Sequence, residues 1–134
     1  MSSIFVLKKR PCVDLDHLAA AGFAILSALA LAAQSCSVNL WLSCGNEGHD
    51  PTDPHTLGNA LDVSVTGLGA ETIRQLHTTL QNTLGPNFTV LYEVPTDPTD
   101  PLLAPIAYVN PQAPGPHLHL QLKKGLTDYP PLPA

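Results

Sequence analysis

Apolar residues recur along the chain with two different periods. From Leu15 onward, Leu15, Leu18, Ile25, Leu29 and Ala32 fall at the three-, four- and seven-residue spacing of one helical face, inside the nearly unbroken apolar run 18–33. Asp14 stands where an N-cap is expected. Residues 71–84 repeat the period with Ile73, Leu76, Leu80 and Leu84, and Gly85-Pro86 supplies a stop. Between and after these stretches the period drops to two. Val38 to Ser43 alternates as a half-buried strand does. In 60–65, Leu61, Val63 and Val65 share one face and Ala60, Asp62 and Ser64 the other. Phe88 to Val94 and His117 to Leu122 complete the strands.

The remaining segments break regular structure. Residues 45–54 are rich in turn formers, and 95–116 hold seven prolines, with room only for a short edge strand at Ile106–Val109. Asp-Pro-Thr-Asp-Pro occurs twice, at 50–54 and 97–101, each copy ahead of a histidine-bearing segment. Asp and Pro favour turns for separate reasons, so both copies read as turns, with acidic loops flanking one cleft as the alternative. The order of elements predicts one α+β domain over 1–134. Its sheet is antiparallel or mixed, of about four to five strands, with helices on one face. Residues 1–13 read as an N-terminal extension and 129–134 as a Pro-rich tail.

Composition narrows the function. Only 13% of residues are charged against 44% hydrophobic, too apolar a mixture for a disordered chain. The net charge of −5 and the absence of a long basic stripe point away from a nucleic-acid partner. The run 18–33 follows Lys8-Lys9-Arg10, as in an export segment, yet Asp14, Asp16 and His17 intervene, and it is short of the ~20 residues of a membrane span. It reads as a buried helix, with an export segment and a membrane anchor as alternatives. Cys12, Cys36 and Cys44 are odd in number and lack CxxC spacing, which excludes a four-thiolate zinc site. Cys36 and Cys44 read as small buried thiols that could pair only in an oxidising compartment.

Six histidines carry the chemistry, four of them around 49–62 and 117–119. His55-Thr-Leu-Gly-Asn-Ala-Leu-Asp62 takes a histidine from a loop through a glycine turn to an aspartate on a strand, so both can face one point. In His117-Leu-His119, residues two apart on a strand share a face. His119 is expected as a third ligand and His117 as an acid/base group or transition-state stabiliser. Two imidazoles and a carboxylate suit tetrahedral Zn²⁺ with one position left for a water whose pKa falls to ~7. His17 and His77 read as structural or solvated.

His-x-x-Gly-x-Ala-x-Asp followed by a late His-x-His resembles the zinc D-Ala-D-Ala carboxypeptidases and related peptidoglycan endopeptidases, whose architecture hedgehog signalling domains share. Leu40 to Gly45 is similar to the strand leading into a Ser-Gly turn in that group. The resemblance covers roughly 15–122. It implies a hedgehog/DD-peptidase-like fold, Zn²⁺ on His55, Asp62 and His119, and hydrolysis of an amide bond in a peptidoglycan stem or cross-link peptide. It also places the activity at the bacterial cell wall, as a periplasmic or extracellular enzyme or a phage lysin of endolysin type. Two departures stand out. Pro116 occupies the position of the usual catalytic glutamate, leaving His117 or Glu93 as the catalytic group. The loop after Gly45 offers Asn46, Glu47 and His49 in place of a carboxylate-binding arginine, so Ser43 and His49 become the substrate-binding candidates. A zinc-binding module without catalysis, engaging wall peptide or a protein partner, is the alternative.

Overall fold

The computed structural model describes residues 4–47 and 51–126, and these form one α+β unit. Six strands make a single mixed sheet, one or two more than the sequence predicts. They are β1 (Leu7–Lys9), β2 (Leu40–Cys44), β3 (Ala60–Ser64), β4 (Phe88–Val94), β5 (Ala107–Val109) and β6 (His117–Leu122). The spatial order is β1-β2-β3-β6-β4-β5. The inner pairs β2–β3, β3–β6 and β6–β4 are antiparallel, and the edges β1 and β5 join in parallel. The expected short strand within 106–109 is β5, preceded by a 3₁₀ turn at Ala104–Ile106. The extra strand is β1, drawn from the segment read as an extension.

Alternation along each inner strand separates two faces. Leu40 and Leu42, Leu61 and Val63, Leu118, Leu120 and Leu122, and Phe88, Val90, Tyr92 and Val94 are all buried. They meet helices α1 (Ala20–Ser35) and α2 (Ala70–Leu84) in one apolar core. In α2 the predicted stripe is realised: Ile73, Leu76 and Leu80 are buried, and Leu84 packs against the core. Gly85 ends the helix at φ +83°, its N–H donating to Gln81.

Helix α1 departs from expectation at its start. It begins at Ala20, with Ala19 at the N-cap, so Asp14 does not cap it. Asp14 is held instead by the turn after β2: its N–H donates to Glu47 at 2.8 Å and its carbonyl accepts from Asn46 at 2.7 Å. Leu15 and Leu18 pack on the core from this non-helical lead, while Ile25, Leu29 and Ala32 are buried in the helix itself. The helix is not buried all round, since Phe23 and Leu31 face outward. Among the described residues no helix is long and apolar enough to cross a membrane.

Candidate metal centre

The face of the sheet away from the helices carries the polar alternates. Strand register sets Asp62 beside His119, Ser64 beside His117, and Glu93 beside His117. Three strands thus deliver four of the expected site residues to one patch, and a loop delivers the fifth. That loop contains the first Asp-Pro-Thr-Asp-Pro copy. Asp53 Oδ1 accepts the His55 N–H at 2.8 Å, an Asx turn that the second copy repeats between Asp100 and the Leu102 N–H at 2.8 Å. Asp53 and Asp100, the second aspartates of the two copies, therefore each close a turn. Asp53 lines the cleft at the site, whereas Asp97 and Asp100 do not.

His55 is locked from several directions. Asn46 donates to its carbonyl at 2.7 Å and accepts the His17 N–H at 3.0 Å. Gly58 turns the chain at φ +77° and packs so tightly that a Cβ would lie 2.2 Å from the His17 carbonyl oxygen. Its own carbonyl accepts the Ala19 N–H just ahead of α1. The result is a His55 side chain only 6% exposed, facing Asp62 with Nε2 3.4 Å from Oδ1.

Asp62 is the hub. His119 Nδ1 lies 2.7 Å from its Oδ1, and His117 Nε2 lies 3.7 Å from its Oδ2. The rings of His55 and His119 meet edge to face with centroids 5.1 Å apart. Burial alone would raise the Asp62 pKa. Hydrogen bonds to His119 and His55, with their charges, override it and hold the carboxyl well below the ordinary range. Burial likewise opposes the His119 imidazolium, but Asp62, the Gln121 hydrogen bond and Glu93 raise its pKa overall. Gln121 Oε1 accepts from His119 Nε2 at 2.6 Å, which fixes the ring with Nδ1 toward Asp62.

His117 stands on the other side of the carboxylate. Its Nδ1 donates to the Gly115 carbonyl at 3.0 Å, so Nε2 faces Asp62 and, also at 3.7 Å, Glu93 Oε1. Asn110, at the end of β5, donates to Glu93 Oε1 at 2.8 Å and orients it. Ser43 lies beside the cluster, lining a small cavity with Arg10, Ser64 and His117. His49 falls outside the described residues. His17 is exposed, and His77 bonds the Val90 carbonyl at 3.0 Å.

Among the described residues, Cys44, His55 and Asp62 offer ligand atoms that all lie within 4.8 Å of one another, a group that could hold a metal ion. His119 is tied to this trio through Asp62. The donors are borderline nitrogen, oxygen and sulfur atoms, the set that zinc and other late divalent metals accept. Cys44 was not a candidate in the sequence. No disulfide joins the three cysteines; Cys12 is exposed and Cys36 is buried. Burial, then the charges of Asp62 and Glu47, push the Cys44 thiol well above its usual pKa. Asn46, Asn110 and Gln121 are further residues missed, since single amides carry no spacing signal.

The cluster lies in a cleft of about 420 Å³. Compared with known proteins, the chain matches no family model, no curated protein and no solved structure.

Proposed function

We propose that this protein is a zinc-dependent hydrolase of amide bonds in peptidoglycan stem or cross-link peptides. Zinc would be held by His55, Asp62 and His119. The observation that carries the reading is the convergence of three histidines, one from a loop and two from β6, on one largely buried carboxylate inside an open cleft. The substrate class rests on the resemblance of the two histidine motifs to the cell-wall peptidases. When bound, zinc polarises the scissile carbonyl and makes water a nucleophile at neutral pH.

The chain's own groups manage the protons. Water adds to the carbonyl carbon, the C–N bond breaks, and the departing nitrogen gains a proton. His117, with Nδ1 committed to Gly115, exchanges that proton at Nε2 without moving its ring. Glu93, oriented by Asn110 and facing the same Nε2, stabilises the charged imidazole or takes the proton itself. This pair supplies what Pro116 cannot, since that residue contributes only its carbonyl, to the Val65 N–H. Ser43 and the neighbouring cavity receive one end of the peptide.

Zinc stoichiometry combined with mass spectrometry of digested muropeptides tests the proposal. One zinc per chain and new peptide termini are expected. Zinc without cleavage would point to the second reading, a wall-binding module without catalysis, which Pro116 favours. Absence of zinc would reject both.

A further inference from the structure

A β-bulge gives the site a donor that the strand pattern conceals. Strands β2 and β3 pair Trp41 with Ser64 and Leu42 with Val63, then shift so that Cys44 stands opposite Asp62, leaving Ser43 as the extra residue. Residues paired across antiparallel strands present their side chains on the same face. Unbroken alternation from Trp41 would send Cys44 to the helix-covered face with Leu42; the bulge turns it to the open one. Neighbouring turns fix that geometry: Glu47 accepts the Gly45 N–H, and Gly45 packs where a Cβ would lie 2.3 Å from the Asp14 carbonyl oxygen. The thiol therefore shares a 4.8 Å sphere with the donors of His55 and Asp62.

We infer that Cys44 is a fourth protein ligand that closes the metal site and holds the hydrolase in a latent state. The inference rests on the proposed metal reading. The mutually close donors are those of Cys44, His55 and Asp62, and His119, with Nδ1 2.7 Å from Asp62 Oδ1, would join them to give two imidazoles, a carboxylate and a thiolate, the closed donor set typical of structural zinc, whereas catalytic sites keep a position open. Binding releases the Sγ proton to solvent, because only the thiolate ligates. Turnover then requires Sγ to withdraw, so Cys44 governs how much of the protein is open to substrate.

Cobalt spectroscopy tests this on the whole chain. With one equivalent of Co²⁺, the wild type is expected to show thiolate-to-cobalt charge-transfer absorption. The Cys12→Ser/Cys36→Ser double variant keeps that absorption, and Cys44→Ser loses it while still binding cobalt. Stoichiometric cobalt without the absorption overturns the inference and leaves the three-ligand reading standing, whereas no cobalt uptake overturns both. A second measurement reads the proton that the thiol gives up. At neutral pH one equivalent of Zn²⁺ is expected to release one more proton per chain from the wild type than from Cys44→Ser, because only the thiolate ligates. Equal proton release from the two proteins overturns the inference.

Discussion

Leu118 and His119 are neighbours on one strand, yet they belong to two different proteins in physical terms. Leu118 is fully buried under the helices, among apolar side chains that would pack around any residue of its size and shape. His119 faces the cleft, with both ring nitrogens committed, one to Asp62 and one to Gln121. The first side chain contributes through volume and the second through direction. A sheet with one covered face can thus hold its fold on one set of alternates and leave the other set free for chemistry.

Substitution at these two positions should separate the roles most sharply. His119→Ala is expected to lower turnover of muropeptides by about 10³-fold or more, since metal assistance supplies several kcal/mol of transition-state stabilisation. Its zinc stoichiometry should fall with the activity. The metal-free fold should suffer less, because Asp62 keeps His55 at 3.4 Å and His117 at 3.7 Å as partners. Leu118→Ala should do the opposite: a loss of roughly 2–5 kcal/mol in denaturant unfolding from the cavity it opens, with zinc still bound by the native fraction. Equal effects of the two variants on both readouts would dissolve the distinction between the faces.

Metal removal acts on one face only. Zinc at about 100 times its dissociation constant should stabilise the native protein by roughly 2.7 kcal/mol, and a chelator should reverse the gain in a thermal melt. Leu118→Ala should show the same increment, and His119→Ala little of it.

The repeated turn sharpens the comparison at smaller scale. Asp53→Ala and Asp100→Ala each remove one Asx hydrogen bond of 2.8 Å, worth about 1 kcal/mol. Only Asp53→Ala should also weaken zinc binding, by roughly tenfold, because its turn aims a ligand. Isothermal titration would detect the difference, and equal affinities in the two variants would show that the turn does not position His55.

How much of this was legible in the sequence follows from how local each signal is. Alternation in 60–65 and 117–122 is enough by itself to set Asp62, His117 and His119 on the face away from the helices. The apolar stripe of α2 and its glycine stop are equally local. What escaped depended on distant pairing. Residues 7–9 are too short to announce a strand, and they become one only because β2 offers a parallel edge. Asp14 has the chemistry of an N-cap, but Asn46 and Glu47, more than thirty positions away, claim its backbone. The bulge at Ser43 inverts the side on which Cys44 emerges, and nothing in Leu-Trp-Leu-Ser-Cys marks it.

The two faces also titrate with opposite sign. His77, between α2 and β4, has its pKa lowered from 6.5, chiefly by burial; the bond to the Val90 carbonyl opposes the shift and the Arg74 charge adds to it. Between that lowered value and 6.5 the unfolded chain binds the proton more readily than the native one. Stability contributed at His77 is therefore present above about pH 6.5 and lost as the pH falls through the folded value. His119 is shifted upward from 6.5 on balance, so in the metal-free protein its contribution is present below about pH 6.5 and lost as the pH rises through the folded value. Urea unfolding of metal-free His77→Gln should flatten the stability profile on the acid side of that point, and His119→Gln on the alkaline side. A change on the same side in both variants would mean that the helix-covered and open faces do not differ electrostatically as burial at His77 and the Asp62 contact at His119 require.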